Sequence, residues 1–281
     1  MAGNGAVRLK LQATNLLTAS VGWLGRSPGH LRILTFHDVS DGEGDIFGIT
    51  RSQFGQYVQV LRDEGYVTIR ARDMVSGWPS WVDRQRVVLL TFDDCYASHR
   101  DVVAEILGQH GMTATFFAIS SLVGAARTRR FFEGRDREFL SAEDLLRMEL
   151  DGFEVGSHTH THPMLGRLTD RQVAHELAVS KLVLEQVLRH AVSSFAYPYG
   201  RQLAFSHRTR AALKEAGYGI AFTQAGSRIR RDSDLLEMPR TSVDRLDTMT
   251  TFRRKLEGHY DLIRGPATNM SPAGPVRWKG M

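Results

Sequence analysis

The chain has 281 residues, 42% of them hydrophobic, a formal net charge of +5 and a single cysteine. That apolar share supports a sizeable core and excludes a disordered chain; one cysteine excludes an intramolecular disulfide, and the length suits one large α/β domain. The charge does not imply nucleic acid as a partner. Residues 1–37 carry Arg8, Lys10, Arg26 and Arg32 and no acid, so much of the excess is terminal, and no basic stripe interleaved with aromatics follows.

Residues 1–30 read as a basic, amphipathic extension. Leu17, Val21 and Leu24 fall at i, i+4 and i+7, but Gln12, Thr14, Asn15 and Ser20 interrupt the apolar run. It is too polar for the core of a secretory signal, and no stretch approaches the ~20 apolar residues of a membrane span. The expectation is a cytoplasmic chain in which residues 7–24 either cap the domain or make weak peripheral contact with the inner membrane face.

From residue 31 a strand–helix rhythm sets in. Strands are expected at Arg32–Phe36, Tyr66–Ile69, Val87–Phe92, Thr113–Ala118, Phe153–Gly156, Ser194–Tyr197 and Gly219–Thr223, with a weaker one around Met238. Between them lie helix-period stretches. One has Phe54, Tyr57, Val58 and Leu61 on a single face, and another has Val102, Val103, Ile106 and Leu107. Ser141-Ala142-Glu143-Asp144 opens a third in the manner of a capping box. The longest follows Thr169 and turns Val173, Leu177, Leu184 and Leu188 inward, and a further helix carries Ala212, Leu213 and Ala216. Gly65, Gly111, Gly152 and Gly217 follow four of these helices, where a left-handed residue closes the last turn. Strands alternating with helices mean parallel βα units. Seven or eight such units, with no Gly-x-Gly-x-x-Gly at any helix start, favour a barrel over a dinucleotide-binding sheet. The tail from Gly265, rich in proline and glycine, is expected to be disordered.

The polar residues that punctuate the strand ends carry the chemistry. His37 follows the first strand, Asp93-Asp94 the third, His158 and His162 the fifth, Tyr197-Pro198-Tyr199-Gly200 the sixth, and Arg240 the last weak one. In a βα barrel the strand C-termini converge on one rim, where the active site lies. Adjacent carboxylates at a buried strand end are costly without a cation. Asp94 with the i, i+4 pair His158 and His162 makes a one-carboxylate, two-imidazole metal set, which leaves Asp93 free as a base on water. His160 competes with His162, because an extended segment would put His158 and His160 on one face; Pro163 and the threonines favour a turn and hence His162. Arg240 can keep Asp93 ionised and oriented, and His37 is the acid candidate. Cys95 reads as inert packing. The arginines 127, 129, 130, 135 and 137 either line the cleft and favour an anionic substrate or belong to a solvated loop.

These residues resemble the polysaccharide deacetylases, the carbohydrate esterase family 4 or NodB-homology domain. Thr91-Phe92-Asp93-Asp94 is similar to the family's Thr-Phe-Asp-Asp-Gly motif, with Cys95 in place of glycine. His158 to His162 resembles its His-Ser/Thr-x-x-His motif, and Tyr197-Pro198-Tyr199-Gly200 its Arg-x-Pro-Tyr-Gly motif, with Ala196 in place of arginine. The Leu-x-Leu-His element normally found near the C-terminus is matched by Leu34-Thr35-Phe36-His37 at the start, an order that resembles the permuted branch acting on poly-N-acetylglucosamine and other exopolysaccharides. Met238-Pro239-Arg240 is similar to that branch's Pro-Arg element.

The resemblance implies a deformed (β/α)7 TIM-like barrel over residues 31–264 and a divalent metal, zinc first, with Co2+, Ni2+ or Fe2+ as alternatives. It implies Asp94, His158 and His162 as ligands, Asp93 as base, Arg240 as its orienting partner, His37 as acid and the Tyr199 backbone N–H as oxyanion donor. The substrate it implies is a carbohydrate bearing N-acetyl groups, with no nucleic acid. Competing readings are a deacylase or deformylase of a lipid-linked sugar, an amidase of a non-sugar ureide, a non-haem iron oxygenase and a non-catalytic sugar-binding relic. His259, which lies in or after a helix, is the rival acid and is not expected to reach the rim.

Overall fold

The structure is a computed structural model and describes residues 31–41, 47–125, 138–200, 206–224 and 227–261. The expected N-terminal extension, the arginine segment and the C-terminal tail fall largely or wholly outside these residues. No described helix is long and apolar enough to cross a membrane.

The strands are β1 (Leu31–Phe36), β2 (Tyr66–Ile69), β3 (Arg86–Asp94), β4 (Thr115–Ala118), β5 (Glu154–Ser157), β6 (Ser194–Ala196), β7 (Ile220–Thr223), β8 (Met238–Pro239) and β9 (Thr241–Ser242). The helices are α1 (Arg51–Asp63), α2 (Glu105–Gln109), α3 (Ala142–Leu150), α4 (Asp170–Leu188), α5 (His207–Glu215) and α6 (Met249–Leu256). Every strand pairing is parallel, in the order β8-β7-β6-β5-β4-β3-β1-β9. Only Arg240 separates β8, which pairs with β7, from β9, which pairs with β1. The sheet therefore returns on itself at that residue, and the ring has seven staves, as the expected barrel requires. The strand β2 stands outside this count. It pairs with the first half of β3, on the edge where β4 takes the second half.

The local reasons are those legible in the sequence. Thr50, Ser141 and Thr169 each cap a helix through a reciprocal box with the residue three positions on. Gly65, Gly111, Gly152 and Gly217 all have positive φ. The third strand is longer than expected and contains Asp93 and Asp94 as its last residues. The helix before Gly111 is irregular: His99–Ala104 is wound as a π-helix before α2 begins.

Alternate side chains sort into two buried layers. Val88, Leu90, Phe92, Phe116, Val155 and Phe195 pack outward against the helices with Phe54, Leu107, Leu177 and Leu213. Ile33, Val87, Leu89, Phe117, Ile220 and Phe222 fill the barrel. The barrel floor is covered by the turn Ala71–Met74, whose Ala71 N–H donates to Thr115 Oγ1 and whose Arg72 N–H donates to buried Glu154. Gly156 makes room for the interior phenylalanine: a Cβ there would lie 2.5 Å from Ser194 Oγ and 2.6 Å from the Phe117 ring. Gly156→Ala is expected to destabilise the protein by about 1–3 kcal/mol through overpacking, read as a lower midpoint in thermal unfolding; an unchanged midpoint would show that the interior can yield.

Candidate functional site

Strand direction decides which residues meet. His37, Asp93, Asp94, His158, Tyr199 and Arg240 all stand at or just past strand C-termini, on one rim. Asp93 follows the interior alternation of Val87, Leu89 and Thr91. Asp94 would be turned towards the helices by the same rule, but its φ of 76° breaks the strand. Of the six non-glycine residues with positive φ among the described residues, five lie at this rim: Asp94, Cys95, Thr159, His162 and Tyr199. Such conformations cost free energy and persist where the surroundings impose them. Cys95, at φ 55°, occupies the place of the motif's glycine and adopts the backbone that glycine takes freely. Its thiol is buried, and burial and then Asp94 push its pKa up, in keeping with packing rather than reactivity.

Asp94, His158 and His162 come together as one buried group whose donor atoms all lie within 4.8 Å of one another. Asp94 Oδ1 is 3.7 Å from His158 Nε2 and 3.7 Å from His162 Nε2. The group is prepared for a cation in three ways. Asp94 Oδ1 is buried with no hydrogen-bond partner, whereas Oδ2 accepts from the Tyr96 hydroxyl at 2.8 Å. His158 Nδ1 lies 2.8 Å from the Ala196 carbonyl, which gives it a proton to donate there and turns Nε2 towards Asp94. Burial raises the Asp94 pKa, and burial and then His158 hold His162 well below the usual imidazole range. These residues fit a divalent metal: two imidazole nitrogens facing a buried carboxylate oxygen that has no hydrogen-bond partner are the donor set such an ion takes.

His160 stands apart. Its Nδ1 lies 2.9 Å from Ser120 Oγ, and its ring is only half-buried. The turn that sequence favoured over an extended segment is present, and it is His162 that faces Asp94.

Asp93 has the opposite environment from its neighbour. Both its oxygens accept from Arg240, Oδ1 from Nη1 at 2.7 Å and Oδ2 from Nη2 at 2.8 Å, and both residues are buried. Arg240 also donates to Thr91 Oγ1 and to the Thr223 carbonyl, with its guanidinium carbon 5.6 Å from the centre of the Phe117 ring. Burial alone would raise the Asp93 pKa. The Arg240 charge, then His158, outweigh it and hold the carboxyl well below the usual carboxylate range. Arginine from the barrel seam thus reaches the carboxylate that the motif's arginine, here Ala196, would otherwise serve.

His37 is half-buried at the end of β1, and its carbonyl is bonded by His99 Nε2 at 2.8 Å. Strand β1 runs beside β3 in register up to Phe36 and Phe92, which places His37 next to Asp93 on the same rim. The Tyr199 ring lies 4.9 Å from that of His162. His259 follows α6 and pairs with Glu257. Its neighbour Gly258 packs against Arg32 near the start of β1, the end of the barrel away from the rim. Sequence reasoning missed two residues that support the site. Tyr96 gave no signal beyond standing two positions after Asp94. Glu176 did give one: it is an acid on the inward face of α4.

With this geometry established, comparison with known proteins is decisive. The family model described as polysaccharide deacetylase matches residues 82–221. The chain belongs to the polysaccharide deacetylases. A Bacillus subtilis protein named for that family, YxkH, is 26% identical over 217 residues, covering 77% of this chain and 72% of that protein. The chitooligosaccharide deacetylase of Azorhizobium caulinodans is 30% identical over 118 residues, 41% of this chain and 49% of that one. Among solved structures, the Streptococcus pyogenes deacetylase PplD in complex with acetate superposes with a TM-score of 0.69 at 21% identity, covering 82% of this chain and 99% of that one, and shares the fold. As a family member the chain is a hydrolase of carbon–nitrogen amide bonds.

Arg240→Met is expected to lower stability at pH 7 by about 3–5 kcal/mol, because it leaves the Asp93 charge buried without its partner. Since the native pair depresses the Asp93 pKa, its stabilisation is full above the ordinary carboxylate value of ~4 and declines as pH falls below it. The variant's penalty is relieved as its isolated carboxyl protonates. The gap between the two proteins should therefore narrow on acidification in urea titrations at pH 7 and pH 4; a constant gap would deny the ion pair this role.

Proposed function

We propose that this deacetylase is metal-dependent and removes the acetyl group from N-acetylated sugars in a polysaccharide, oligosaccharide or glycoconjugate. The observation that carries the metal reading is the buried Asp94 Oδ1, without a hydrogen-bond partner and facing two imidazole Nε2 atoms. One carboxylate oxygen and two imidazole nitrogens suit Zn2+ first, with Co2+, Ni2+ and Fe2+ within the range of the same donors. The family and its named relatives support the sugar amide as substrate.

Asp94, His158 and His162 would hold a divalent ion, which would supply Lewis acidity towards water and the acetyl carbonyl. Asp93, held in orientation by Arg240, takes the proton of the attacking water as its oxygen bonds to the amide carbon. The backbone N–H of Tyr199 donates to the carbonyl oxygen as negative charge grows there. His37, at the end of β1, protonates the nitrogen as the carbon–nitrogen bond breaks, and the products are acetate and a free amino sugar.

Acetate release from N-acetylglucosamine oligomers should be abolished by a chelator and restored by Zn2+. Asp94→Ala, His158→Ala and His162→Ala should each lose bound zinc by elemental analysis, whereas His160→Ala should keep it. Full occupancy in His162→Ala would overturn the ligand assignment. Asp93→Asn should retain the metal and lose ~10²–10⁴-fold in turnover, the usual effect of removing a general base; near-normal turnover would make Asp93 structural. His37→Ala should keep its zinc and lose amide hydrolysis far more than hydrolysis of activated esters, whose leaving groups need no proton. Equal losses on both substrates would remove His37 from the acid role.

A further inference from the structure

The two histidines of the site belong to one short segment, whose turn has a local hydrogen bond of its own, from the His162 N–H to Thr159 Oγ1 at 2.9 Å. In an extended segment His158 and His160 would share a face. Bringing His162 to Asp94 requires the turn at Thr159 and His162, whose φ values are 70° and 58°. Neither residue takes that backbone readily. Contacts from outside the segment add to that local bond.

The carboxylate of Glu176, fully buried on the inner face of α4, meets the segment between the two histidines. Its Oε2 accepts from the backbone N–H of His160 at 2.9 Å and of Thr161 at 2.8 Å, and its Oε1 accepts from Thr161 Oγ1 at 2.6 Å. One turn further along the same helix face, Ser180 Oγ lies 2.7 Å from Ser157 Oγ at the end of β5. From the other side, the Ser120 and Ser121 N–H groups donate to the carbonyls of Thr159 and His160. Hydrogen bonds to a carboxylate are about twice as strong as neutral ones, so Glu176 is the strongest hold on the turn.

We infer that Glu176 is the positioning residue of the metal segment: its carboxylate fixes the turn that brings His162, rather than His160, to Asp94 and His158. This rests on the metal reading above. Glu176 touches neither metal nor substrate. It acts by ordering the backbone between two ligands, in the way that partners behind metal ligands set affinity.

The test is Zn2+ affinity of the full-length protein, measured by competition with a chromophoric chelator, together with the visible spectrum of the Co2+-loaded protein. Glu176→Gln should bind Zn2+ about 10–100-fold more weakly than wild type, the range for such partners, and should shift the Co2+ bands. Leu184→Ala, a core truncation on the same helix, separates this from plain destabilisation: it should lower the thermal midpoint of the metal-free protein and leave Zn2+ affinity and Co2+ bands unchanged. If Glu176→Gln does not fold, Thr161→Val removes only one of the three contacts and should still weaken Zn2+ binding several-fold. Wild type that binds Zn2+ tightly, with unaltered affinity and spectrum in Glu176→Gln or, failing that, in Thr161→Val, overturns the inference and leaves the metal reading standing. Wild type with no tight Zn2+ binding overturns both.

Discussion

A carboxylate kept ionised inside a barrel is the constraint around which this molecule is arranged. Asp93 points into a space otherwise filled by Phe117, Phe222 and aliphatic side chains, and it is tolerated there because Arg240 meets it through two parallel hydrogen bonds. The requirement spreads outward. Arg240 needs its remaining donors satisfied, which Thr91 and the Thr223 carbonyl supply. Phe117, against which the guanidinium lies, needs the space left by Gly156. A change at any of these positions is felt at the carboxylate.

The neighbouring aspartates show how backbone geometry, more than residue type, assigns a role. Asp93 obeys strand alternation and finds a cation built into the protein. Asp94 leaves the strand through its own left-handed backbone and finds two imidazoles and a tyrosine hydroxyl, but no arginine or lysine. Their pKa values are driven apart accordingly, down for Asp93 and up for Asp94. One carboxylate has both oxygens paired within the chain, and the other keeps an oxygen without a hydrogen-bond partner.

Much of this was readable in the amino-acid sequence because it depends on local periodicity. The seven main strands, the four closing glycines and the rim positions of His37, Asp94, His158 and His162 follow from apolar runs that end in polar residues. What escaped reading depends on contacts between distant segments. Strand β8 was expected only as a weak strand around Met238 and β9 not at all, since at two residues each neither shows alternation. Glu176 was hidden because a helix stripe is recognised by its apolar members, and a single acid within it looks like a lapse in the pattern. Tyr96 stands beside Asp94 in sequence, yet only the left-handed backbone of Asp94 and Cys95 accounts for its hydroxyl returning to that carboxylate.

The closure of the sheet at Arg240 also bears on the order in which the motifs are encoded. Strands β1 and β9, the first and last among the described residues, are neighbours in the barrel. A ring of parallel staves has no first member, so the chain can be cut between any two of them without altering which side chains face the rim. The histidine encoded at residue 37 therefore stands beside the stave that follows Arg240, where a histidine encoded after that stave would also stand. Gene order and spatial order are decoupled at this one junction, and the motifs can be rotated in sequence while the chemistry stays in place.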